Sequence, residues 1–116
     1  MHTATRRRLP TDRVGLAHDF NLAGHHVHIR TGEYEDGTLG EVFIEVDKAG
    51  STMSGLLDGF ATAISLAIQY GTPLSVLADK FIGSSFPPMG ITGSADVPLA
   101  TSMLDLVFRW LRDRYE

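Results

Sequence analysis

Apolar and polar residues alternate through the first half of the chain and recur at helical spacing through the second. Leu16, His18, Phe20 and Leu22 alternate with Ala17, Asp19 and Asn21, the period of a half-buried strand. Ala23-Gly24 follows as a turn, after which Val27, Ile29 and Thr31 alternate with His26, His28 and Arg30. Asp36-Gly37 is a hairpin signal, and beyond it Val42, Ile44 and Val46 alternate with Glu41, Phe43 and Glu45. If Asp36-Gly37 closes the hairpin as a two-residue loop, Val27 faces Val46, Ile29 faces Ile44 and Thr31 faces Val42. The opposite face then pairs His26 with Asp47, His28 with Glu45 and Arg30 with Phe43. A slip by one residue would spoil both faces.

From Gly50-Ser51-Thr52, which supplies a helix cap, apolar residues recur at Met53, Leu56, Leu57, Phe60, Ile64, Leu66 and Ile68. Gly71 and Pro73 mark the end of that helix. Thr72-Pro73 opens a short helix carrying Leu74, Leu77, Ala78 and Phe81 and stopped at Gly83. Residues 83–95, rich in Gly, Pro and Ser, are expected to form a loop. Asp96 is expected to begin a last helix with the stripe Leu99, Met103, Leu106, Val107, Trp110 and Leu111. The pattern predicts an α+β fold, an antiparallel β-meander of about three strands packed against three helices.

A chain of 116 residues suits one core. Residues 1–12 read as a flexible basic N-terminal arm and residues 13–116 as a single α+β domain. The net charge of −4 gives no general attraction to nucleic acid or anionic lipid. Binding of nucleic acid through the arm would show steep salt dependence, and the acidic balance argues against it. The absence of cysteine excludes disulfides and thiolate chemistry. No apolar run approaches the roughly 20 residues of a membrane helix, and the basic start is followed by no apolar stretch, so the cytoplasm is the expected location and no membrane partner is expected.

Four groups carry candidate chemistry. Gly55, Gly59, Ala63 and Ala67 lie four residues apart on the long helix and form a groove of small side chains, suited to the chain's own last helix or to a homodimer. Lys48, Ser51 and Thr52 stand at a helix N-terminus, where backbone N–H groups and hydroxyls can hold a phosphate or nucleotide. Arg6, Arg7 and Arg8 are the other candidates for anions. His25, His26 and His28, with Glu45 and Asp47 opposite, make a metal site at His26 and His28 conceivable, and cross-strand charge pairing accounts for the same residues without one. No serine lies in a Gly-x-Ser-x-Gly elbow, and no catalytic residue is expected.

The chain also resembles a known family. Arg6-Arg7-Arg8-Leu9-Pro10, His18 and Phe20, Gly24-His25, Tyr34-Glu35-Asp36-Gly37 and Gly40–Ile44 fit it. So do Gly50-Ser51-Thr52, Ser54-Gly55-Leu56, Gln69-Tyr70-Gly71, Lys80-Phe81, Gly90–Gly93 and Phe108–Leu111. Together they are similar to the small C-terminal, TSCPD-type domain of vitamin B12-dependent (class II) ribonucleotide reductases. At the motif that names the broader domain this chain reads Ser84-Ser85-Phe86-Pro87-Pro88, with Phe86 where the motif has cysteine. Without cysteine or the catalytic barrel, this chain alone is expected not to reduce ribonucleotides. The resemblance implies an accessory domain without a cofactor, acting by self-association, by docking to a reductase or another protein, or by binding a nucleotide or phosphate. Phe86 and its loop are expected to contribute to protein contact. A small metal- or ligand-binding enzyme built on His25, His26 and His28 is the alternative.

Overall fold

The computed structural model describes residues 5–116. The chain order is β1 (Ala17–Leu22), β2 (His25–Glu33), β3 (Leu39–Val46), α1 (Ser51–Gln69), α2 (Leu74–Phe81), β4 (Gly90–Ile91), β5 (Leu99–Ala100) and α3 (Met103–Tyr115). The first three strands form an antiparallel sheet in the order β1-β2-β3, and β4 and β5 form a second, two-stranded sheet. The fold is α+β, as the alternation and the helical spacing predict. The chain divides into two compact units: residues up to 18 with 28–73, and residues 19–27 with 74–116.

In the first unit α1 packs against β3. Ile29, Thr31, Val42 and Ile44 are buried together with Leu57, Ala61 and Ile64 of α1. The predicted apolar face of the hairpin is therefore the inward face. Its loop differs from the expectation. Tyr34 N–H donates to the Thr38 carbonyl (2.9 Å) and Gly37 N–H to the Tyr34 carbonyl (2.9 Å), so the loop is three residues, Glu35-Asp36-Gly37. Gly37 at φ 84° takes the left-handed conformation that such a bulged loop requires. Asp36 closes the turn by accepting from the Thr38 hydroxyl (2.6 Å) and N–H (3.0 Å). Those bonds, with the nearby Arg7 guanidinium, hold its carboxyl down at about 2.

On the outer face His28 meets Asp47 (2.8 Å) and Arg30 meets Glu45 (3.0 Å), each two positions from the expected partner. Arg30 still lies over the Phe43 ring, 5.0 Å from its centroid. Contacts reaching two positions along the partner strand remain on the same face, because the period of a strand is two.

Residues 6–9 of the expected arm are tied to this unit. Arg6 Nε donates to Gln69 Oε1 (2.6 Å), Arg7 N–H to the Gln69 carbonyl (2.8 Å), and the Tyr34 hydroxyl to the Arg7 carbonyl (2.5 Å). The Arg7 guanidinium stacks 3.8 Å over the Tyr34 ring and reaches Asp36 at 3.2 Å. A Cβ on Gly40 would collide with the Leu9 side chain, so glycine is what lets this segment lie close. Residues 1–4 of the arm are outside the described residues.

The second unit is built around α2 and α3. Phe20 meets Trp110 edge-to-face at 6.5 Å, and Phe81 stacks on Phe108 at 4.9 Å. The last helix does not begin at Asp96. Leu99–Ala100 is a strand, with Ile91 opposite Leu99 and Gly90 opposite Ala100, and α3 starts at Met103. The cause is a cap further along the chain: Ser102 Oγ accepts the Asp105 N–H (2.9 Å), while the Asp105 carboxylate reaches back to the Thr101 N–H (3.0 Å). Leu99 thereby leaves the expected stripe and is 60% exposed. β4 likewise interrupts the expected loop at 83–95. Its backbone is also met from the first hairpin, with Asn21 N–H donating to the Thr92 carbonyl (2.8 Å) and Ala23 N–H to that of Ile91 (3.1 Å).

Candidate functional site

Helix α1 organises the surfaces of the first unit, and its two long faces differ in chemistry. The inward face carries Leu57, Ala61, Ile64, Ser65 and Gln69, all buried. β3 is an edge strand, with backbone groups that need partners. Ser65 Oγ accepts the Val42 N–H (2.9 Å) and donates to the Val42 carbonyl (3.3 Å), and Gln69 Nε2 donates to the Gly40 carbonyl (2.9 Å). The side chains of α1 thus occupy the strand edge where another strand would pair. Neither polar residue belongs to the predicted apolar stripe. The signal for them was present as the four-residue row Leu57, Ala61, Ser65, Gln69.

The outward face carries the predicted groove. Gly55, Gly59 and Ala63 are exposed and Ala67 is half-buried. Among the described residues, a Cβ placed on Gly55 or Gly59 would meet nothing within 4 Å. The packing expected to offset two interior glycines is therefore not supplied by any described part of the chain. Leu56, 66% exposed, Met53 and Leu66 flank the row, although the stripe predicts them inside. Most of this helix is uncovered, and, against the expectation that no apolar run approaches that length, it is long and apolar enough by length and composition to cross a membrane. Its bonds to β3 instead make it one wall of a folded unit.

Toward its N-terminus α1 leaves a groove along the β3 edge. One hollow of about 370 Å³ is lined by Phe43, Ile44 and Glu45 on the strand side and by Asp58, Ala61 and Leu66 on the helix side. A second, of about 300 Å³, shares Ile44, Glu45 and Asp58 and continues to Val46, Ser54 and Leu57. Glu41, also at the first hollow, is engaged by Arg13 through both carboxylate oxygens.

The two sets of anion candidates stand at opposite ends of α1. Lys48, Ser51 and Thr52 are exposed at its start, where Gly50 is the N-cap and no side chain bonds the cap. Lys48 has φ 59°. Arg6 and Arg7 are bonded at the far end, to Gln69 and Asp36, and Arg8 is exposed. A helix of 19 residues is about 28 Å long, so one small anion cannot touch both sets. His25 and His26 are exposed in the tip of the first hairpin, and His28 is paired with Asp47. Among the described residues no group of three or more His, Cys, Asp or Glu side chains gathers as a metal site would require.

In the second unit Phe86, at the motif position, is 42% exposed, and its N–H donates to the Thr101 carbonyl (3.1 Å). Ser84 donates to the Phe81 carbonyl (2.8 Å) and lies 2.9 Å from Ser102 Oγ. These hydroxyls and the buried Asp105 fasten the loop to the cap of α3. Asp105 accepts from the N–H groups of Gly83 (2.8 Å) and Thr101, with Arg109 at 3.5 Å. Burial pushes its carboxyl up, and the two N–H bonds and the Arg109 charge together bring it below the ordinary value.

Comparison with known proteins agrees with this domain-sized reading. The TSCPD domain model matches residues 3–115. A vitamin B12-dependent ribonucleotide reductase of Rhodopirellula baltica is 47% identical over 91% of this chain and 10% of its own length. The corresponding protein of Bradyrhizobium diazoefficiens is 42% identical over 95% of this chain and 9% of its own. That of Streptantibioticus cattleyicolor is 41% identical over 91% of this chain and 18% of its own. The chain thus spans only a small part of the relatives it matches. No solved structure matches it.

Proposed function

Because the chain belongs to the TSCPD domain family, we propose that it is a non-catalytic binding domain acting by protein contact through the outer face of α1. One observation carries this reading: the row Gly55, Gly59, Ala63 is open, flanked by exposed Leu56 and Leu66, and not covered by any described residue at its glycines. Each interior glycine costs a helix about 1 kcal/mol relative to alanine, and close approach of a second helix is the compensation that such a row allows. The only charged residue of α1 is Asp58, which lines the groove toward β3, so two copies can meet here without opposing like charges. The occupant we propose is a second copy of the chain, in the cytoplasm. A B12-dependent ribonucleotide reductase is the other candidate for the same face, since the relatives with that name contain a segment like this one.

The test is sedimentation velocity over a concentration series for the wild type and for Gly59→Leu. Within one chain the added side chain enters open space, so at concentrations where both proteins are monomeric the variant keeps or exceeds the wild-type thermal midpoint, while the dimer formed at higher concentration is lost. A wild type that is monomeric throughout would rule out the second copy and leave the reductase, to be tested by co-sedimentation. A Gly59→Leu variant that dimerises like the wild type would rule out the face. The uncapped start of α1 favours, more weakly, a nucleotide or phosphate at Lys48, Ser51 and Thr52. Equilibrium dialysis against labelled ADP, with Lys48→Ala as the comparison, decides that reading.

A further inference from the structure

The groove along β3 is distinct from the outer face of α1 and has its own chemistry. Helix and strand run past each other in matched steps. Gln69 bonds Gly40 and Ser65 bonds Val42, so four residues of helix, about 6 Å, advance with two residues of strand, about 6.6 Å. The next step pairs Ala61 with Ile44, and both line the groove. Backbone direction alternates along a strand, so the N–H and C=O of Ile44 face the same way as those of Val42. Ser65 has a hydroxyl for that position and Ala61 has no polar atom to offer. Beside this stretch of edge lie the half-exposed rings and methyls of Phe43 and Leu66 and the carboxylates of Glu45 and Asp58.

We propose that this groove binds an extended peptide segment carrying a lysine or arginine, paired by its backbone to Ile44. The cationic side chain lays its methylene stem along Phe43 and Leu66 and brings its charge to Asp58 and Glu45. This is the edge-addition mode of peptide recognition, in which main-chain bonds supply affinity and side-chain contacts supply choice. Charge selects the occupant at the Asp58 end of the groove: Arg6 stands at the far end of the first hollow, bonded to Gln69, Arg13 already engages Glu41, and Arg30 meets Glu45 from an exposed position that a bound cation can share, while the second hollow has no cation in its lining. Asp58 has no ion-pair partner among the described residues. The two hollows, joined at Ile44, Glu45 and Asp58, give the groove the length an extended segment needs.

The experiment is a titration of the isotope-labelled full chain, followed by amide NMR, with the capped peptide Val-Lys-Val-Lys-Val and its Val-Glu-Val-Glu-Val counterpart. The lysine peptide is expected to shift amides of Ile44, Glu45, Asp58 and Thr62, and the glutamate peptide to bind at least about tenfold more weakly. Ala61→Ser supplies at Ile44 the hydroxyl that Ser65 supplies at Val42, and is expected to weaken the lysine peptide about tenfold. Asp58→Lys, on an exposed position that leaves folding intact, is expected to do the same. No shift with the lysine peptide, shifts outside the groove, equal affinity for both peptides, or unchanged affinity in Asp58→Lys would each overturn the proposal. None of these results depends on whether the chain dimerises through the outer face of α1.

Discussion

Asp105→Ala is expected to destabilise the protein by about 3–4 kcal/mol, the largest effect of any single polar substitution in the second unit. The carboxylate is 3% exposed and receives the N–H groups of Gly83 and Thr101 at 2.8 and 3.0 Å. Those donors belong to the end of the α2 segment and to the cap of α3. Removing their acceptor breaks two half-buried hydrogen bonds to a charged group, at about 1.5–3 kcal/mol each, partly offset by water that reaches the freed N–H groups. The Ser102 hydroxyl still caps the Asp105 N–H in the variant, which keeps the helix start intact. Urea unfolding at neutral pH measures the loss, and a change below about 1 kcal/mol would show that the carboxylate does not hold these segments.

The same residue sets a pH dependence with a definite sign. Its folded-state pKa lies below the unfolded value of about 3.9. Its contribution is therefore fully present above about pH 4 and is lost as pH falls through the folded value. Asp105→Asn cannot titrate, and its amide group opposes one of the two N–H donors. The variant is expected to be less stable at pH 7 and to change less between pH 5 and pH 2. Equal acid sensitivity in the two proteins would place the responsible group elsewhere, Asp36 being the next to examine.

Gly15→Ala is expected to cost about 3 kcal/mol in the first unit, because a Cβ there would overlap the Thr31 carbonyl oxygen. The contact is with backbone, so no rotamer change relieves it. Around this point Thr31 N–H donates to the Leu16 carbonyl (2.9 Å), Leu16 N–H to Thr31 Oγ1 (2.9 Å) and Glu33 N–H to the Val14 carbonyl (2.9 Å). Any shift that makes room lengthens those bonds. Gly59→Ala is the matched control at concentrations where the chain is monomeric, since within one chain its Cβ enters open space and the helix gains up to about 1 kcal/mol in propensity. Thermal unfolding of the pair should move in opposite directions. If Gly15→Ala keeps the wild-type midpoint, the close approach of Gly15 to Thr31 is not present in solution.

Much of the fold was legible in the residue pattern. The alternation at Val27, Ile29, Thr31, Val42 and Ile44 identifies the buried face of the hairpin, and Gly50 and Gly71 bracket α1 closely. The hairpin loop is not fixed by its own residues, because Asp36-Gly37 suits both a two-residue loop and the bulged three-residue one. The choice falls to the bonds between Tyr34 and Thr38. The start of α3 is hidden in the apolar pattern, because Leu99 and Met103 stand four residues apart and fit a helical stripe. The competing signal was Ser102 with Asp105, a cap-like pair three residues apart. The tie of Arg6 and Arg7 to Gln69 links residues far apart in sequence and leaves no local pattern.

By itself the sequence determined the family, the α+β class, the strand faces and the exclusion of thiol chemistry, all of which follow from residue identity and short-range period. Only the tertiary structure decided which side of α1 is covered. With apolar residues almost all round and a single charge, Asp58, the helix has no periodicity strong enough to choose a face. The backbone edge of β3 makes the choice: its N–H and C=O groups at Gly40 and Val42 find partners when Ser65 and Gln69 turn inward, and leaving such groups unpaired costs more than leaving Leu56 and Leu66 in the open. The exposed glycine row and the groove beside Ile44 are consequences of that orientation.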